Sequence, residues 1–113
     1  MNDVNFARVI DAQFDACRET LKVKQTQYAN GCDRLDGFKK AARVQGILPT
    51  EALAGMMAKH TTSIYEMIHE HNYDAELWSE KITDHINYLV FLMALVIEEN
   101  STKCKEEVPA CSN

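Results

Sequence analysis

The 113 residues, 46% hydrophobic and 26% charged, suffice for one domain of ordinary globular character. A formal charge of −5 argues against general affinity for nucleic-acid polymers or anionic membranes, since both need a net basic face; a small anion held by a local basic cluster stays open. The longest apolar run, Tyr88 to Ile97, is too short for about 30 Å of hydrocarbon, which excludes a membrane span and assigns that run to a core or subunit interface.

Phe6, Ile10, Phe14, Cys17 and Leu21 recur at three- and four-residue steps, predicting a first helix over 3–27 with this stripe as its apolar face. Tyr28-Ala-Asn-Gly31 is a plausible stop. Asp33 is placed to cap a short helix that ends at Gly46. Pro49-Thr50-Glu51 starts a third helix, with Thr50 as the expected N-cap, running to about His71. Asp74 caps a fourth over about 75–99, which Asn100-Ser101 is expected to end. No window alternates with period two over strand length. The expected fold is an all-α bundle of three long helices and one short one over residues 1–101, with a loose tail over 102–113.

Cys17, Cys32, Cys104 and Cys111 include no Cys-x-x-Cys pair and no zinc spacing. Met1–Phe6 has no basic n-region and no apolar h-region follows, so no signal peptide is expected. Together these point to a reduced, cytoplasmic protein.

Wound at about 3.6 residues per turn, the fourth helix has a main apolar stripe of Trp78, Ile82, Ile86, Leu89, Met93 and Val96. Glu80, Asp84 and Asn87 fall nearly opposite, in an arc that continues through Phe91, Ala94 and Leu95. A helix apolar on every side is covered on every side, so Tyr88–Ile97 predicts a homodimer or higher oligomer. The polar line then runs from solvent into a covered seam, where it can face a ligand or a metal; a solvated helix face and a salt bridge to Lys81 are the competing readings. His60 lies within the third helix's apolar stripe of Leu53, Met56, Met57, Ile64, Met67 and Ile68, and needs a polar partner, with Asp84 or Glu80 the candidates. Lys59 and Ser63 flank it.

Six of the 12 Lys and Arg residues (Lys22, Lys24, Arg34, Lys39, Lys40 and Arg43) cluster in one segment with Tyr28 and Phe38 interleaved. Phosphate suits the cations and a base suits the rings; a solvated connector is the competing reading.

Cys17-Arg-Glu-Thr20, Asp33-Arg-Leu with Phe38-Lys-Lys-Ala-Ala42, Met56-Met-Ala-Lys-His60 with Ser63-Ile64, and the run from Glu80 to Leu89 resemble the phage-associated nucleotide modification associated domain one family, over about residues 14 to 99. That resemblance implies a phage or prophage protein concerned with nucleotides, at work in the host cell's cytoplasm. More distantly, the helical layout is similar to the MazG-like all-α nucleoside triphosphate pyrophosphatases, which hold magnesium with paired acids on successive helices. Here Glu80 and Asp84 are four apart, and Lys59-His60 stands where acids are expected.

Three functions compete on these grounds. In the first, the protein sequesters or processes a nucleotide, including a host immune nucleotide signal. Lys24, Arg34, Lys39 and Lys59 hold phosphate, Tyr28 or Phe38 stacks on the base, and His60, Glu80, Asp84 and Asn87 read base or sugar. In the second it is a metal-dependent pyrophosphatase with Glu80 and Asp84 holding magnesium or manganese. In the third it is a helical inhibitor of a host defence protein.

Overall fold

The computed structural model describes residues 1–27 and 33–107, with side chains over 1–23 and 33–101. Tyr28, Gly31, Cys32 and the chain from 108 lie outside the described residues, as do the side chains of Lys24 and Cys104. Four helices make up the fold: α1 (Asp3–Gln27), α2 (Asp36–Gln45), α3 (Pro49–His69) and α4 (Ala75–Glu107). No strand occurs among the described residues, as the missing period-two pattern predicted.

Local chemistry sets most of the boundaries. Asp33 acts one turn ahead of α2: its Oδ1 accepts from the Leu35 N–H at 2.9 Å and its carbonyl from the Asp36 N–H at 3.0 Å. Gly46 ends α2 in the left-handed region at φ 70°, a conformation that costs glycine little. α3 starts ahead of the expected Thr50 cap. Leu48 is the N-cap, Pro49 fills the first turn, and the Glu51 side chain accepts the Leu48 N–H at 2.9 Å. At the other end of α3, His71 takes the left-handed slot at φ 57°, and the Asn72 N–H closes back on the Met67 carbonyl at 3.0 Å. Asp74 caps α4 as expected, accepting from Glu76 and Leu77.

α4 overruns its expected end at Asn100-Ser101 and continues to Glu107. Ser101 to Glu107 contains neither glycine nor proline, and its lysines and glutamates are good helix formers, so nothing local stops it. The expected loose tail over 102–113 is therefore helical as far as 107.

α4 is the central helix. α3 runs antiparallel to it, since Leu53 packs near Leu95 while His60 meets Tyr88. α1 runs parallel to it, since Gln13 reaches Thr83 at 2.9 Å and Asn87 reaches the Cys17 carbonyl at 3.5 Å, each pair 70 positions apart. α2 lies across α3. The core cluster is Leu35, Leu53 and Leu95, packed by Phe38, Met57, Tyr88, Phe91, Leu92 and Ala94; of these Leu53 is fully buried.

This core lies on a different face of α4 from the expected one. The stripe of Trp78, Ile82, Ile86, Leu89, Met93 and Val96 is half-buried or exposed, and Met93 keeps 58% of its surface. The arc of Asp84, Asn87, Phe91 and Leu95 faces inward instead, with Thr83 and Asn87 buried against α1. The reason is supply: α1 and α3 can flank one arc only, and the arc carrying the rings and Leu95 takes it. On α1, Cys17 is buried as expected, whereas Phe6, Ile10 and Phe14 stay about half exposed. A radius of gyration of 17.6 Å, against about 13 Å for a compact chain of this length, reflects the same open arrangement.

Lys39 fastens α2 to α4. It pairs with Asp33 and, at 2.9 Å, with Glu98. The Lys39 hydrogen bond holds the Asp33 carboxyl below 3.8, and the same bond raises the Lys39 ammonium above 10.5. A depressed carboxyl stabilises the fold above its unfolded value and stops doing so as pH falls through the folded one; a raised ammonium stabilises below its unfolded value and fails as pH rises through the folded one. The pair therefore contributes across the window from 3.8 to 10.5. Lys39→Met should lower stability at pH 7 by about 0.5–1 kcal/mol, given the pair's partial exposure. In urea titrations the gap between variant and parent should close below pH 3.8; a gap independent of pH would contradict this account.

Candidate functional site

Two neighbouring clefts share the Tyr88 ring. The larger, about 390 Å³, is lined by Met56, Lys59 and His60 of α3 and by Lys81 and Tyr88 of α4. The smaller recess, about 70 Å³, is lined by Phe38 of α2 and by Asp84, Asn87, Tyr88 and Phe91 of α4. Spacing on α4 produces this arrangement. Lys81, Asp84, Asn87 (or Tyr88) and Phe91 follow one another at three- and four-residue steps, so they lie along one side of the helix.

The rings form a ladder from one end of the site to the other. His60 lies 4.8 Å from Tyr88 between ring centroids, Tyr88 lies 6.4 Å edge-on to Phe38, and Phe38 lies 5.4 Å from Phe91. The Arg34 guanidinium caps the far end, 5.9 Å from the Phe91 centroid. These centroid separations are those of favourable aromatic pairs, each worth about 0.5–1.5 kcal/mol beyond burial.

The two clefts differ in charge. The larger brings Lys59, Lys81 and a histidine together without a carboxylate in its lining, in a chain of net charge −5. Neither lysine forms an ion pair among the described residues, so the alternative of a salt bridge from Lys81 to the polar line is not among those formed. The recess is the reverse, with a carboxylate and an amide among rings.

Two polar atoms at this site are buried without a hydrogen-bond partner: His60 Nδ1 and Asn87 Oδ1. His60 was expected to bond Asp84 or Glu80; it rests on Tyr88 instead. Asn87 is 2% exposed, and its Nδ2 donates weakly to the Cys17 carbonyl. An unmet buried acceptor costs about 1–3 kcal/mol, so both atoms mark places where the fold leaves stability unrealised.

The expected site residues divide accordingly. Phe38, Lys59, His60, Asp84 and Asn87 come together across α2, α3 and α4. Glu80 is exposed and lines neither cleft. Lys39 is held by Asp33 and Glu98, and Arg34 donates to the Leu21 carbonyl at 3.3 Å, so both fasten helices. Ser63 lies with Lys59 on a separate shallow depression. Tyr28 and the Lys24 side chain lie outside the described residues. Among the described residues no group of three or more His, Cys, Asp and Glu side chains could hold a metal ion, so Glu80 and Asp84 gain no third donor there. Tyr88 and Phe91 wall the site without having been among the expected site residues, and Lys81, a salt-bridge alternative in the sequence, lines the larger cleft. Their three- and four-residue spacing from Asp84 was the available signal.

The chain matches no protein-family model, no curated protein and no solved structure.

If His60 is kept for a ligand rather than for the fold, removing it should not weaken the protein. His60→Met fills similar space, keeps contact with Tyr88 and abolishes the unpartnered Nδ1. We expect unfolding free energy to hold or rise by about 1 kcal/mol in urea titrations. A loss above about 2 kcal/mol would show His60 to be a structural residue.

Proposed function

We propose that the protein binds a nucleotide and withholds it, with phosphate at Lys59, Lys81 and His60 and the base toward Phe38, Tyr88 and Phe91. The observation that carries this reading is the shared Tyr88 wall, with uncompensated cations on one side and rings with polar acceptors on the other. Phosphate needs the first environment and a base needs the second.

Asp84 and Asn87 supply the polar contacts to the base in this reading, and Glu80 is released from it. We propose that the helices follow the layout of the MazG-like pyrophosphatases. Where those enzymes would pair acids across two helices, this chain sets Lys59 and His60 of α3 opposite α4. Cations there favour holding an anion, because the charge a metal would neutralise is already met by the protein.

The decisive experiment incubates the protein with nucleoside triphosphates, cyclic dinucleotides and ADP-ribose derivatives, with and without magnesium, and chromatographs bound and released material. Intact nucleotide recovered after denaturation supports withholding. Monophosphate with pyrophosphate would replace it with the hydrolase reading, and no binding by any member would overturn both. Lys59→Ala and Lys81→Ala should each weaken binding by about tenfold or more, and the parent's affinity should fall as salt rises.

A second reading concerns assembly and rests on a separate observation. Phe6, Ile10, Phe14, Leu89, Val90, Met93 and Ile97 are each about half exposed. At roughly 100 Å² apiece they expose on the order of 700 Å² of apolar surface in total, close to one side of a standard interface. A homodimer formed through these faces of α1 and α4 covers them. Light scattering should give twice 12.8 kDa, and Met93→Asp should give 12.8 kDa; a monomeric parent would refute the dimer.

A further inference from the structure

We infer that the larger cleft takes a polyphosphate chain, that of a nucleoside di- or triphosphate free of magnesium, and that magnesium opposes its binding. The inference rests on the nucleotide reading and adds to it a ligand class and a regulating ion. Both follow from how Lys59 and Lys81 are placed.

The two lysines come from different helices and line one cleft of about 390 Å³, a volume equal to that of on the order of ten waters. Along α4 the lining runs from Lys81 to Tyr88, seven residues and therefore about 10 Å at about 1.5 Å per residue. Tyr88 meets His60 of α3, which sets the backbone of Lys59 and His60 toward the Tyr88 end, two turns of α4 from Lys81. The cations are thus stations along a cleft. A chain of phosphates, with charge on each unit, engages stations so spaced, whereas a lone phosphate at one end leaves the cation at the other unmet.

Magnesium, which the pyrophosphatase likeness implies, does not fit that lining. On a polyphosphate it occupies oxygens that the ammonium groups would otherwise take, and it keeps several waters, which donate and so call for acceptors. Lysine has three donors and no acceptor, and Met56 offers a weak thioether, so Tyr88 and His60 are the side chains left to accept. Carboxylates close by in the chain line other surfaces. Asp84 lines the recess, Glu66 lines the shallow depression that also includes Lys59, and Glu80 is exposed outside both clefts. The two lysines repel the ion, and the ion cancels much of the negative charge that draws the ligand to them.

Calorimetric titration of the full chain with the mono-, di- and triphosphates of the four common nucleosides tests this, in EDTA and in millimolar magnesium at equal ionic strength. In EDTA a triphosphate should bind at least about tenfold more tightly than its monophosphate, and magnesium should weaken it at least about tenfold. Lys81→Glu puts an acceptor into the cleft, so it should weaken the triphosphate in EDTA, and magnesium should then strengthen binding. Lys59→Glu makes the same exchange at an exposed position, and thermal melts establish that each variant is folded. A parent that binds more tightly in magnesium, or that binds mono- and triphosphates equally, would overturn the inference and leave the nucleotide reading standing. Magnesium antagonism unchanged in both variants would overturn it too. Binding of none of these would end the inference, and the nucleotide reading would fall with it only if the cyclic dinucleotides and ADP-ribose derivatives also failed to bind.

Discussion

α4 has more apolar surface than the other described helices cover. From Tyr88 to Ile97 it is apolar all round, yet only α1 and α3 lie along it, with α2 reaching it through Phe38 and the Lys39–Glu98 pair. One arc must go inside and another outside. The arc that goes inside carries Leu95 and Phe91 at one end and Thr83, Asp84 and Asn87 at the other. Choosing a large hydrophobic anchor thus draws polar groups into the interior with it, because all of them are fixed to one rigid helix. Both clefts and the unpartnered Asn87 oxygen follow from that choice.

The helices were legible wherever a single residue carries the boundary signal. Asp74 caps α4 through its own carboxylate and Gly46 closes α2 at positive φ, and neither depends on tertiary contacts. The inward face of α4 was harder to read, because periodicity counts apolar residues on an arc and does not know which neighbours will be available. By count, the stripe through Ile82, Ile86 and Met93 wins. By partner, the opposite arc wins, since the α1 register brings Gln13 and Cys17 to Thr83 and Asn87. Polar residues at 83 and 87 suit that seam, which is closed by side-chain hydrogen bonds rather than by interdigitated aliphatics.

The candidate site shows the same division. Asp84, Asn87 and His60 could be named from sequence, the first two as a line on one helix and the last as a misfit on an apolar stripe. Which partner His60 takes could not, because Asp84 and Tyr88 lie one turn apart on α4 and sequence does not distinguish their reach. The basic segment around Lys39, with its interleaved rings, left a ligand cluster and a solvated connector both open. In the fold, Lys39 and Arg34 tie α2 and its approach to α4 and α1, which is the more common use of such residues where several short elements meet.

The charges that remain decide between gripping and cutting. Hydrolysis of a phosphoanhydride on this scaffold would need carboxylates converging on a divalent ion beside the phosphates. The larger cleft presents Lys59 and Lys81 instead, and a divalent cation entering it meets like charge before it meets a ligand oxygen. Asp84 lies around the Tyr88 ring in the other compartment, and Glu80 is exposed and lines neither. Asp84 and the two lysines therefore lie on opposite sides of Tyr88, and the proposed reading matches each to a different part of a nucleotide. The withholding we propose requires that division, with cations at one end of the site and acceptors at the other, so that an intact molecule is held across its length.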